Sequence, residues 1–266
     1  MIVIGELLNS TRKPVRKAVA DGDSRYIQDI ARRQEEAGAD YLDVNAGAFA
    51  EQEAEKLEWM IKNIREVSSL PLCIDSPKPE ILELGCQLAD SEDIIVNSIS
   101  LEEARYKEVI PVVQKFDAGV IALAMDDEGL THDSNKMFDV ACTLVRRLLK
   151  DGVAPEKIYL DPLVRPIGTD SRYGLIVLNL LKRLDKEFPS IHKICGLSNI
   201  SYGLPERKLI NRTFLVMAMA CGLCAAIIDP LDKYLMTQRR VARMLLGRDD
   251  YCMDYISAAR SGELET

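Results

Sequence analysis

An α/β fold, a single (β/α)8 TIM barrel, is what the sequence predicts, on three observations. Short apolar runs alternate with longer amphipathic ones through the whole chain, giving eight strand–helix units. The short runs are near-continuously apolar, as parallel strands covered on both faces must be. The 266 residues also suit one barrel of about 250, with no Pro/Ser-rich or low-complexity stretch to mark a second domain. One domain over residues 1–266 is therefore expected, with a polar tail from about Arg248 onward.

The strands are expected, in order, at Ile2–Ile4, Tyr41–Val44, Leu72–Ile74, Ile94–Val96, Val120–Ala124, Ile158–Leu160, Ile194–Leu197 and Ala225–Ile228. Helical patterns lie between them. In Glu51–Val67, Ala54, Leu57, Met60, Ile61 and Ile64 recur at helical spacing, and in Ser134–Lys150, Met137, Ala141, Leu144, Val145 and Leu148 do the same. Ser98, Ser100 and Asp170 read as helix caps. The longest apolar run, Phe214–Ile228, falls short of the roughly 18 residues of a membrane span. Gly222 breaks it into a helix and a buried strand.

Composition narrows the function classes. With 47% hydrophobic and 29% charged residues the balance is that of a globular protein. A net charge of −8 argues against broad nucleic-acid binding, which needs a cationic face. An anionic ligand would need a local basic patch. The opening MIVIG is too short for a secretory h-region. The seven cysteines sit in apolar stretches and read as reduced thiols of a cytoplasmic protein. Cys221 and Cys224 form a CxxC, which reads as two small core residues at a helix end rather than a redox pair or half a metal site.

The polar residues at the strand ends carry the chemistry. The strands run, in order, into Glu6 and Asn9; Asp43 and Asn45; Asp75-Ser76; Asn97-Ser98; Met125 and Asp126; Asp161-Pro162; Ser198-Asn199; and Asp229. In a barrel these positions converge on the C-terminal face, where active sites lie. The ring is rich in carboxylates and carboxamides and almost free of histidine, so neither a zinc site nor a Ser-His-Asp or Cys-His nucleophile is expected. Carboxylates and carboxamides suit the reading of a heterocycle with adjacent amino and ring N–H donors, such as a pterin. Asp75, Asn97, Asp161 and Asn199 read as contacts to that ring. Glu6, Asn9, Asp43 and Asn45 read rather as supports or caps of the mouth.

The segments RRQEEAGADYLDVNAG, LPLCIDSP, IIVNSIS, YLDPLV, GLSNISYG and LINRTFLVMAMACGL, in this order, span nearly the whole chain. They resemble methyltetrahydrofolate:corrinoid methyltransferases, of the kind acting on corrinoid/iron–sulfur protein. More loosely, the chain is similar to the pterin-binding domain of methionine synthase and to dihydropteroate synthase. The resemblance implies that Asp75, Asn97 and Asp161 hold the pterin, that Asn199 reaches N5, and that Gly196 and Ser198 line the pocket. It makes Asn199 and Asp75 the expected catalytic residues. It places Arg207 near the exposed part of the folate, where the alternative is a solvated loop arginine. It implies tetrahydrofolate or 5-methyltetrahydrofolate as substrate, a corrinoid (cobalamin) carried by a partner protein, a homodimer, and no metal held by the chain. The chain lacks a DxHxxG segment that would supply a histidine to cobalt.

Three rivals carry expectations that differ. Dihydropteroate synthase chemistry wants Arg-x-His at the barrel mouth, and here the eighth strand ends IIDPLDK. A non-catalytic folate-binding subunit would not need the GLSN and DPL segments intact. A phosphate-binding aldolase-type barrel would want Gly-rich loops after the last strands and a lysine within a strand.

Overall fold

Each short apolar run becomes a parallel strand in the computed structural model, which describes residues 1–89, 91 and 93–265. The chain runs β1 Ile2–Asn9, α1 Lys13–Asp21, α2 Ser24–Glu36, β2 Tyr41–Asn45, α3 Glu53–Arg65, β3 Leu72–Asp75, α4 Pro79–Ala89 and β4 Ile95–Ser100. It continues α5 Glu103–Lys115, β5 Gly119–Leu123, α6 Ser134–Lys150, β6 Ile158–Asp161, α7 Tyr173–Glu187, β7 His192–Lys193, α8 Arg207–Ala220, β8 Ala225–Ile228, α9 Lys233–Leu245 and α10 Met253–Ser261. Neighbouring strands pair in chain order from β1 to β7, and β8 pairs with β1. The circle closes between the seventh and eighth strands: Cys224 N–H donates to the Lys193 carbonyl at 3.1 Å, Ile227 N–H to that of Cys195 at 3.0 Å, and Gly196 bridges Ile227.

The core has two layers. One lies between the strands and the helices, and the other fills the barrel. The inner layer takes one residue from each strand position: Ile4, Tyr41, Cys73, Ile95, Ile121, Tyr159, Ile194 and Ala225. A barrel interior filled in this way is a packed floor, not a pore.

Several local expectations change. The seventh strand, expected at Ile194–Leu197, has its regular pairing at His192–Lys193. Ile194–Gly196 extend it, and Leu197 already opens a 3₁₀ turn, Leu197–Ser201. The fourth strand runs on to Ser100, so Ser98 is in the strand and Ser100 Oγ donates to Glu102 at 2.8 Å instead of capping α5. Asp170 accepts from Arg172 N–H before α7 starts and so forms the preceding turn. In α3, Ala54 is exposed and Glu53 is buried in its place, because Glu53 turns inward to accept from Ser76 Oγ at 2.6 Å and to meet Lys78 at 3.1 Å. The tail from Arg248 is not loose. It forms α10, tied to α9 through Asp254 with Arg240 and Arg243, while Thr266 lies outside the described residues.

The run Phe214–Ile228 divides as the glycine predicts. Gly222 sits between α8 and β8 at φ 105°, and a Cβ there would come within 2.6 Å of Asp185 Cβ. No helix among the described residues is long and apolar enough to cross a membrane.

Candidate active site

The period of two along each strand builds the site directly. Side chains of a strand alternate between its faces, so the residue two positions beyond the apolar floor also points at the barrel axis. Counting on by two from the eight floor residues reaches Glu6, Asp43, Asp75, Asn97, Leu123, Asp161, Gly196 and Ile227. A ring with four carboxyls and a carboxamide thus lies one layer above a dry floor. Six of these eight, all but Leu123 and Asp161, line one cavity of ≈ 300 Å³ together with Asn9, Thr11, Arg12, Ser198, Asn199 and Arg207.

The structure therefore brings Asp75, Asn97, Gly196, Ser198, Asn199 and Arg207 to one cavity. Asp161 is set back from its wall. It is 8% exposed, and its carboxylate accepts from the Leu163 N–H at 2.7 Å and from the Gly196 N–H. Glu6, Asn9 and Asp43, read from the sequence as supports, line the cavity as well. For Glu6 and Asp43 the signal that could have found them is the same one that marks Asp75, the count by two from the floor; Asn9 is out of that phase, and β1 shifts register between Gly5 and Leu8 before it. Asn45 does act as a support. Its Nδ2 donates to Asp75 Oδ2 at 3.0 Å and to the Asp75 carbonyl at 3.2 Å, while its Oδ1 accepts from Ser10 Oγ and Gly47 N–H.

The remaining bonds fix most of the wall. Asn97 Nδ2 donates to Asp43 Oδ1 at 3.3 Å, and Ser198 Oγ donates to Glu6 at 3.1 Å. Arg207 reaches back over the 3₁₀ turn to the Ser198 carbonyl at 2.7 Å and to Ser201 Oγ at 3.1 Å. It is exposed, at the first position of α8, and these bonds tie it to the rim. The exceptions are Asn9, whose Oδ1 is bonded but whose Nδ2 has no partner among the described residues, and Asn199. The Asn199 backbone is held in the turn, yet among the described residues no hydrogen bond holds its exposed carboxamide. That carboxamide offers both its donor and its acceptor to a ligand.

Burial makes the carboxyls reluctant to ionise. Burial pushes Asp161 up to about 7, opposed by the two backbone N–H groups it accepts from. Burial likewise pushes Asp75 up to about 6, against the Asn45 hydrogen bond. Asp43 is raised well above the carboxylate range by burial and then by the charge of Asp75, and Glu6 is raised by burial against the pull of Arg12. The mouth therefore holds protons near neutrality and is less negative than four carboxylates would make it. Arg12 and Arg207 bring positive charge to its edge.

Among the described residues no group of three histidine, cysteine or carboxylate side chains could hold a metal ion. Cys221 caps the end of α8, and Cys224 lies 3.6 Å from His192 Nδ1 at the opposite face of the barrel from the mouth. All seven cysteines are free thiols.

Comparison with known proteins places this architecture. The profile of the family described as pterin binding enzyme matches residues 5–229. The methylcorrinoid:tetrahydrofolate methyltransferase of Eubacterium limosum is 36% identical over 99% of this chain and 98% of its own length. The methionine synthase of Mycobacterium tuberculosis is 28% identical over 94% of this chain, which corresponds to 23% of that protein. Among solved structures, Xanthomonas albilineans dihydropteroate synthase with 4-aminobenzoic acid superposes with a TM-score of 0.70 at 17% identity, covering 92% of each chain. That likeness is one of fold.

Proposed function

The chain belongs to the pterin-binding enzyme family, and from that premise we propose that it moves a methyl group between N5 of tetrahydrofolate and the cobalt of a corrinoid carried by a separate protein. The observation that carries this reading is the mouth itself: a ring of carboxyls and a carboxamide over a dry floor, with the Asn199 carboxamide, unpartnered among the described residues, at its open side. The relative from Eubacterium limosum, named for this reaction and aligned over nearly both chains, supports it. A dihydropteroate synthase reading rests on fold alone.

The donor set suits a pterin. Carboxylates of Asp75 and Asp161 can accept from its amino group and ring N–H, and the carboxamide of Asn97 can serve an edge of mixed donors and acceptors. Arg12 and Arg207 can meet an anionic tail at the edge. We read Asp75 both as a pterin contact and, with Asn199, as a group of the reacting centre. The reading also takes the chain as one domain, cytoplasmic with reduced thiols, and working as a homodimer without nucleic-acid or membrane partners.

Methyl transfer here is an in-line displacement at carbon, and the corrinoid's cobalt supplies the nucleophile in one direction and holds the methyl group in the other. This chain's residues bind, orient and manage a proton. As a leaving group, a neutral N5 needs a proton or a hydrogen bond. Asn199 donates a hydrogen bond but cannot act as an acid near neutral pH. In the free protein Asp75 and Asp161 hold protons up to about 6 and about 7, but a pterin donating to them displaces those protons, so the proton for N5 comes from water or through a network in the site. In the reverse direction the N5 lone pair attacks the methyl carbon as the carbon–cobalt bond breaks, the Asn199 carboxamide oxygen can accept from N5–H, and that proton leaves to water.

Purified protein is expected to be colourless and free of cobalt, and to demethylate methylcobalamin or a methylated corrinoid protein when tetrahydrofolate is added. Absorbance of the released corrinoid and cobalt analysis check this. Stoichiometric cobalt in the isolated chain, or no transfer with either donor, would overturn the reading.

A second expectation concerns Gly196, whose φ of −73° any residue can adopt. A Cβ there would stand 3.2 Å from Asn199 Nδ2. Gly196→Ala should keep the fold, move the Asn199 carboxamide by a few tenths of an ångström and slow single-turnover transfer about tenfold. An unchanged rate would show that the position of Asn199 does not matter.

A further inference from the structure

We propose that the corrinoid-carrying partner docks on one half of the barrel mouth, an apolar arc formed by the loops and helix starts after β5 to β8. The proposal rests on the methyl-transfer reading and assigns a place to its partner.

Large apolar side chains are exposed at five points of the mouth face. They are Leu130 (57% exposed) after β5, Leu175 (64%) in the first turn of α7, Tyr202 (68%) after the seventh strand, Leu209 (65%) in the first turn of α8, and Tyr234 (43%) at the start of α9. All five belong to the second half of the barrel. Among the described residues, the loops and helix starts after β1 to β4 expose no large apolar side chain. Single exposed apolar residues are ordinary, but an arc of them over four consecutive loops marks an interaction surface.

The loops after β5, β6 and β7 are tied to one another, and the arc meets the cavity at Tyr202. The loop after β5 is tied to the loop after β6, because Arg165 Nη2 donates to the Thr131 carbonyl at 2.5 Å and Tyr173 Oη lies 2.9 Å from His132 Nδ1. The loop after β6 packs on the next, with Gly168 placed against Leu204 and the Tyr202 carbonyl. Tyr202 lies under the guanidinium of Arg207, 5.9 Å from ring centroid to Cζ, and Arg207 lines the cavity. Asn199 and Ser198 stand on the same side, in the turn that leads to Tyr202. The chemistry needs a corrinoid to come within methyl-transfer distance of N5, and the corrinoid arrives on another protein. That protein must therefore cover the mouth, and the half that carries Asn199 is the half that offers apolar contact.

The test separates docking from chemistry by changing the donor. Leu175→Glu combined with Leu209→Glu removes two points of the arc. Both positions are exposed and lie in first helical turns, where an added carboxylate is favourable, so the variant should fold. The donors are free methylcobalamin and a methylated corrinoid protein, taken from a panel as the one that wild type demethylates fastest with tetrahydrofolate. With free methylcobalamin the double variant should match wild type. With the protein-borne donor kcat/KM should fall about tenfold or more, with kcat at saturation kept. Leu245→Glu, exposed at the far end of α9, should change neither rate. Unchanged kcat/KM with the protein-borne donor overturns the proposal, and so does an equal loss with both donors. A panel in which no corrinoid protein outpaces free methylcobalamin also overturns it. Turnover of free methylcobalamin by wild type tests the methyltransferase reading separately.

Discussion

Asn199→Ala should slow single-turnover methyl transfer about 10²–10³-fold, the usual loss for one preorganised donor at a reacting centre. Tetrahydrofolate affinity and melting temperature should change little. The structure sharpens the contrast. Had the side chain capped the loop toward Gly203, its removal would cost stability and leave turnover intact. The carboxamide has no protein partner among the described residues and is exposed at the rim. Its loss should therefore fall within about 0.5 kcal/mol, as for other surface substitutions, and shift the melting temperature by no more than about 2 °C. A contact made mainly in the transition state lowers the rate more than the affinity. Melting temperature, folate titration and single-turnover rate on one sample of the variant decide the matter. A normal rate removes Asn199 from the mechanism and leaves the carboxyls as the supported site.

Much of this site is legible in the amino-acid sequence, for a reason that lies in the fold. Parallel strands must be apolar on both faces, so the first polar residue after each apolar run marks the mouth. Asp75, Asn97 and Asp161 can be placed in that way. Which neighbours support and which line the cavity is harder to see. Asp43 and Asn45 lie two residues apart on the same face of β2, so the pattern treats them alike, and only the packing shows that Asp43 lines the cavity while Asn45 turns its amide to Asp75. The end of the seventh strand is misleading because Leu197 is as apolar as a strand residue, yet the chain turns there to present Asn199. Glu53 is invisible to helical periodicity, since its burial is set by Ser76 and Lys78 from another loop. The apolar arc is likewise hidden, because Leu175 and Leu209 look in sequence like core positions of their helices and are exposed only because the helices turn other faces inward.

Asp75→Ala and Asp161→Ala should each weaken folate binding by roughly 1.5–3 kcal/mol, the scale for losing hydrogen bonds to a charged group, or about 10- to 150-fold in Kd. The two changes differ in what they leave behind. For Asp75, Asn45 keeps its bond to the main-chain carbonyl at position 75; for Asp161, the relief of a carboxylate that burial disfavours is set against the Leu163 and Gly196 N–H groups left without their acceptor, so affinity is read per folded molecule. The pH dependence of wild type carries the same argument further. Asp161 titrates at about 7 in the free protein and Asp75 at about 6. A pterin donating two N–H groups to a carboxylate favours its charged form, so the bound carboxyls release protons more readily than the free ones. Below pH 7 binding must expel a proton from Asp161, and below pH 6 a second from Asp75. Affinity should therefore be level above about pH 8 and fall toward tenfold per pH unit as the pH drops through 7. In the absence of ligand the sign reverses: both raised pKa values lie above their unfolded values near 3.8, so their stabilising contribution is lost as pH rises toward 7. The unliganded protein should be more stable at pH 5 than at pH 8 as far as these two groups decide it. Titration calorimetry at pH 6 and 8, in buffers of different ionisation enthalpy, reads both the affinity and the proton released. In Asp161→Ala the step near pH 7 should vanish. Unchanged affinity in both variants, or a wild-type affinity that is flat from pH 6 to 8 with no proton release, removes these carboxyls from the pterin site.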